Sequence, residues 1–201
     1  MDEALSRRLR EIFCPDFLSH YYEAARGPFR SLSELPPAEA EQLLERIHRE
    51  GLVFASKRPA DYLPIRRELE QKIRALFIGK GGQPRRDAPH SMCLGACSWL
   101  LEWYLDGREI RVPLVSFDPR IVSFTYGDCF PAMRYQDGKP YRGQVYTLEE
   151  LPEVVCRYGL PQEWNRKGKR GPERYIEAQV WDDAPLAAHL RPRNGEPQGS
   201  Y

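Results

Sequence analysis

No stretch of this chain approaches the roughly 18 to 20 consecutive apolar residues that cross a bilayer. The opening MDEALSRRLREIF is charged and amphipathic, not a basic region followed by an apolar block. The expectation is a soluble, cytoplasmic protein with no membrane partner. An excess of one charge is missing too: 30 Lys and Arg stand against 29 Asp and Glu, a formal net charge of +1. No global field draws such a chain to a nucleic acid backbone, so any binding of that kind must come from a local patch. The short paired spacings of a disulfide scaffold are also absent. Cys14, Cys93, Cys97, Cys129 and Cys156 make an odd set, and the one close pair, Cys93 and Cys97, has no second pair to complete a structural zinc site. Their neighbours Met92, Leu94, Ala96 and Trp99 favour burial over metal binding, and no metal ligand is assigned. Nucleophile elbow, dinucleotide-binding glycines, Walker loop and His-Glu-x-x-His helix are all lacking.

What is present is two kinds of periodicity. The first part is helical. Leu5, Leu9, Ile12 and Phe13 share a face of a helix over 3–13. SELPPAEAEQLLERIHREG has proline in the first turn, Ala40, Leu43, Leu44 and Ile47 on one side and Gly51 as its stop. His48 of this helix reads as a solvated surface residue. A third helix, over 64–78, carries Ile65, Leu69, Ile73, Leu76 and Phe77 inward, with Arg66 and other cations elsewhere. From His90 onward the pattern becomes strand-like. HSMCL, EIRVPLVSF, RIVSFTY, a segment within DGKPYRGQVYT and RYIEAQVW read as strands, and SWLLEWYL and LEELPEVVCRYG as helices, with Cys156 in the packing of the latter. The class this implies is α+β: a helical N-terminal region packed on a mixed or mainly antiparallel sheet formed by the second half. We expect one domain over 1–190, mainly helical over 1–79 and mainly strands with two short helices over 90–183, with a disordered tail over 191–201.

Chemistry must come from scattered residues. Glu177 stands mid-strand beside Gln179, on the face opposite Ile176, Ala178 and Val180, with Tyr175 and Trp181 flanking it. A carboxylate on a partly dry strand face has a perturbed proton affinity and can steady a developing cation; the plain alternative is the polar face of a half-exposed strand. Gln179 and Trp181 are candidate ligand contacts. The loop GKGGQPRRDAP offers Lys80, Arg85 and Arg86 with glycine amides, a candidate anion site or a solvated connector.

His90, Tyr126 and Glu177 occur in an order that resembles the His-Tyr-Glu group of ADP-ribosyltransferases. The likeness covers three residues of 201 and departs from the group in that HSMCLG lacks its usual His-Gly start. It implies that His90 bonds a ribose, Tyr126 stacks on nicotinamide and Glu177 stabilises an oxocarbenium-like state, with NAD as cofactor only under that reading. The expected function is therefore a small-ligand or nucleotide pocket around Glu177, supporting glycosyl or ADP-ribosyl-type transfer. The alternative is a non-catalytic RNA- or protein-interaction module, built on sheet aromatics with Lys167, Lys169 and Arg170 beside them.

Overall fold

The computed structural model describes residues 14–190, so the helix read over 3–13 and the tail over 191–201 lie outside the described residues. The class is α+β, as the periodicities imply. Five antiparallel strands, β1 (Phe17–Glu23), β2 (His90–Leu94), β3 (Gly107–Pro113), β4 (Val122–Tyr126) and β5 (Ile176–Val180), form one sheet in the order β3-β1-β2-β5-β4. The helices are α1 (Pro37–Glu50), α2 (Tyr62–Gly79), α3 (Cys129–Arg134), α4 (Leu151–Tyr158) and α5 (Pro161–Trp164). No described helix is long and apolar enough to cross a membrane.

Proline at N1 starts α1, and Gly51 ends it in the left-handed conformation, φ 67°, where its N–H reaches the Ile47 carbonyl. Gly159 likewise closes α4 through the Val155 carbonyl. The strand β1 runs through a segment with no strand reading, because FLSHYYE does not alternate cleanly; it pairs with β3 along its whole length. SWLLEW forms a 3-10 turn instead of an α-helix, and the strand read within DGKPYRGQVYT is reduced to one bridge, Tyr146 to Phe124. Cys156 corrects another expectation: it is exposed, outside the packing of α4.

Alternation divides the sheet into two unlike faces. Leu18, Met92, Val112, Phe124, Ala178 and Val180 point one way and join Leu151, Val154 and Val155 of α4 in the main core. The other face carries Ser19, Tyr21, Ser91, Cys93, Ser123, Thr125, Glu177 and Gln179, as the register Cys93–Glu177–Thr125 requires. It is not half-exposed: Ser123, Thr125, Glu177 and Gln179 are all buried. Helix α2 covers part of it, packing Leu69, Ile73 and Phe77 against Trp181. A buried polar face must find its partners inside the protein, and how it does so defines the site.

Candidate active site

At the β4 end the polar face is closed by its own bonds. Trp181 Nε1 donates to Ser123 Oγ (2.9 Å), Ser123 Oγ to Gln179 Oε1 (3.0 Å), and Gln179 Nε2 to Thr125 Oγ1 (3.1 Å). Gln179 and Trp181, read from the sequence as ligand contacts, are held in this network, and Trp181 is fully buried.

At the β2 end the face opens into a cavity of about 870 Å³, within the roughly 300 to 1,000 Å³ of small-molecule sites. Glu177 is on its wall. Its Oε2 accepts the Cys129 N–H at 2.7 Å, at the first turn of α3, and the Ser91 hydroxyl also bonds it. Ser91 Oγ in turn accepts from Arg66 Nη2 at 3.0 Å. Arg66, on α2, is fixed further by Glu70 Oε1 (2.7 Å) and the Tyr62 hydroxyl (3.0 Å). Asp128, the residue before α3, caps that helix by accepting Phe130 N–H at 2.8 Å, and its other oxygen accepts the Tyr175 hydroxyl at 3.0 Å. Asp128, Cys129 and Glu177 each bring one donor atom within 4.8 Å of the others.

These surroundings set the proton affinity of Glu177. Burial raises its pKa to about 7 and the Asp128 charge adds to the rise, while Arg66 and the Cys129 and Ser91 hydrogen bonds pull it back. A carboxyl poised there both gives and takes a proton at neutral pH. The trio is less apt for a cation: burial pushes the Cys129 thiol far up, and the Arg66 guanidinium lies close enough to act on both Cys129 and Glu177.

His90 also lines the cavity, at the first position of β2. Its Nε2 pairs with Asp183 Oδ1 at 2.8 Å and its ring meets Phe29 edge-on; burial lowers its pKa. Tyr126 is elsewhere. It pairs with Ile176, so it projects from the face opposite Glu177, and its hydroxyl donates to the Tyr158 carbonyl at 2.6 Å. His90 and Glu177 both border the cavity, but His90 pairs with Val180 and so stands, like Tyr126, on the sheet face opposite Glu177; Tyr126 lies under the α4 layer.

The basic loop is occupied by the chain itself. Lys80 pairs with Glu150 at 2.7 Å, Arg85 with Asp182 at 3.0 Å, and Arg86 with Glu34 and Asp183. The Arg85 and Arg86 amides both donate to the Trp181 carbonyl. Nor is His48 merely solvated: its Nε2 lies 2.8 Å from the Arg58 carbonyl. The aromatics available for base stacking are largely spent. Trp181 and Tyr126 are buried and Trp103 stacks on Phe54, while Lys167, Lys169 and Arg170 remain exposed.

No protein-family model, curated protein or solved structure matches this chain. The site therefore stands on its geometry. Arg66, Asp128 and Ser91 were not assigned to the site from the sequence. Of these, Arg66 had the one usable signal: a cation one turn before Glu70 on the same helix.

Proposed function

We propose that this chain is an enzyme acting on a small ligand held in the cavity, with Glu177 as its proton-transfer and cation-stabilising group and glycosyl-type transfer as its reaction. One observation carries the reading: a wholly buried carboxylate on the wall of a ligand-sized cavity, with a second carboxylate, Asp128, beside it. Stability alone gives no reason to keep it, because burying a carboxyl that must ionise opposes folding. Arg66 already has Glu70 as its close partner. Two carboxylates in unlike settings, one holding a cap and one poised near neutrality, suit acid–base division of labour.

In glycosyl transfer the bond from the anomeric carbon to the leaving group breaks with its electron pair leaving on that group, and the ring oxygen shares the positive charge left behind. Ionised Glu177 steadies that charge. An acceptor hydroxyl or water then attacks the carbon and yields its proton to the Glu177 carboxylate. The ADP-ribosyl form of this reading keeps Glu177, has His90 bordering the cavity from the other sheet face and has no stacking role for Tyr126, so NAD stands as one donor among several to be tried.

The test is a panel of nucleosides, nucleotides and NAD, with released base or nicotinamide followed by chromatography. Wild type is expected to release the base from at least one donor. Glu177→Gln should lower that rate by about 10²- to 10⁴-fold while retaining the fold. Release by the variant at the wild-type rate, or no release from any donor by wild type, would refute the reading.

A further inference from the structure

The cations lining the cavity fall into two groups. Arg66 has each of its three guanidinium nitrogens engaged, by Glu70, Tyr62 and Ser91. Arg30, Arg46 and Arg58 line the same cavity, yet among the described residues no carboxylate lies within ion-pairing distance of any of them. Arg26 shows what pairing looks like here, bridging Glu23 and Glu50 at the same opening. Arg58 is placed rather than loose: its guanidinium sits 4.3 Å from the centre of the Tyr62 ring, and the Tyr62 hydroxyl is bonded to Arg66.

A second donor points the same way. Tyr104 lines the cavity half-buried, and its hydroxyl has no hydrogen-bond partner among the described residues. It feels the charges of both Arg58 and Arg66, which counter the effect of its burial. Tyr21 and Tyr62, also on the cavity wall, are engaged within the protein: Tyr21 donates to Glu109 and accepts from the Cys97 N–H, and Tyr62 accepts from Arg66. A guanidinium without a carboxylate and a phenol without a hydrogen-bond partner, both lining one cavity, form a donor set that lacks its acceptor.

We propose that the ligand carries a phosphate or diphosphate group, held by Arg58 and Tyr104 with Arg30 and Arg46 at the mouth, so that its transferable part reaches Glu177. This rests on the reading of the cavity as an active site. Three unpaired guanidiniums exceed what one carboxylate neutralises, whereas a diphosphate supplies two or more negative charges, and the planar guanidinium matches phosphate oxygens two at a time. A polymeric backbone fits less well: Glu23, Glu34 and Glu50 share the lining and would repel a continuous run of phosphates.

Titration calorimetry with inorganic diphosphate and inorganic phosphate tests this on the full chain. Wild type should bind diphosphate more tightly than phosphate. Arg58→Gln should weaken diphosphate binding by roughly 10- to 100-fold, the range expected for a charged hydrogen-bonding group. Arg58→Lys should recover part of the loss, and Tyr104→Phe should weaken binding by a smaller factor. Thermal melts matching wild type show that these variants fold, and Tyr104→Phe keeps the test valid if Arg58→Gln does not. Glu177→Gln should bind diphosphate as well as wild type or better. Absence of diphosphate binding by wild type, or undiminished binding by the folded variants at both positions, overturns the anion site and leaves the Glu177 reaction to its own assay. Conversely, Arg58-dependent binding by a protein that releases no base upholds the anion site and removes the reaction.

Discussion

A thiol attacks as its thiolate, so a residue's surroundings decide whether it reacts at all. Four of the five cysteines are buried and one, Cys156, is exposed on α4. Burial pushes the Cys14 thiol up to about 12, with Asp16 adding to it, and carries Cys93 and Cys129 well above their ordinary range. Cys93 and Cys97, both buried in one apolar cluster, behave as core hydrophobes, and their proximity does not make them reactive. The folded protein is expected to give one fast equivalent per chain with an aromatic disulfide reagent at pH 8, and all five after denaturation. Substituting Cys156 by Ser should remove the fast equivalent. A second fast thiol in native protein would show that Cys93 or Cys129 is more open to solvent than its packing allows.

Elements with a strong period and clear stops were legible in the sequence. Helix α1, with proline in its first turn and Gly51 at its end, is one, and β5, with Ile176, Ala178 and Val180 alternating inward, is another. The strand β1 was not, because its order comes from pairing with β3 some 90 residues away and not from its own pattern. The same holds for the site. Glu177 showed itself by standing in a strand, but Ser91, Asp128 and Arg66 reach it from β2, from the turn before α3 and from α2, and no local spacing encodes that meeting. Tyr126 misled for the converse reason: its order in the chain says nothing of the sheet face, which the register fixes. Helix α2 matters most here, since it both covers the polar face and delivers Arg66. Ile73 is fully buried against that face, whereas Leu76, assigned to the same apolar stripe by spacing, is 38% exposed. Ile73→Ala should cost about 2 to 4 kcal/mol in denaturant unfolding, and Leu76→Ala less than about 1 kcal/mol. Equal losses at the two positions would mean that α2 is not seated as described.

Across the whole molecule, buried titratable groups bend stability with pH in opposite directions, His20 and His90 one way and Glu177 the other. Burial lowers the His20 pKa to about 4; the Ser91 carbonyl bond opposes this and the nearby His90 adds to it. The ring is held neutral between the Phe29 N–H, which donates to Nε2 at 2.9 Å, and the Ser91 carbonyl, 3.1 Å from Nδ1. Between pH 4 and about 6.5 the unfolded chain therefore binds a proton at His20 that the folded chain refuses, and stability rises with pH. Glu177 does the reverse. From about pH 4.5 to 7 the folded chain keeps a proton there that the unfolded chain has released, so stability falls as pH rises. Each slope is at most about 1.4 kcal/mol per pH unit, and over the shared range from 4.5 to 6.5 they oppose one another. The wild-type profile is then expected to be shallow in that range. Glu177→Gln removes the falling limb, so its stability should climb from pH 4 to 6.5 and exceed wild type at pH 8 by on the order of 1 to 3 kcal/mol. His20→Gln removes the His20 part of the rising limb and leaves that of His90, so its profile from pH 4.5 to 6.5 should tilt downward relative to wild type, whatever the absolute cost of losing the imidazole ring. Urea unfolding at pH 4.5, 5.5, 6.5 and 8 measures all three slopes. Parallel profiles would show that neither group changes its proton affinity on folding. A Glu177→Gln protein more stable than wild type at pH 8 but not at pH 4.5 is what a carboxylate held near neutrality at the expense of folding requires.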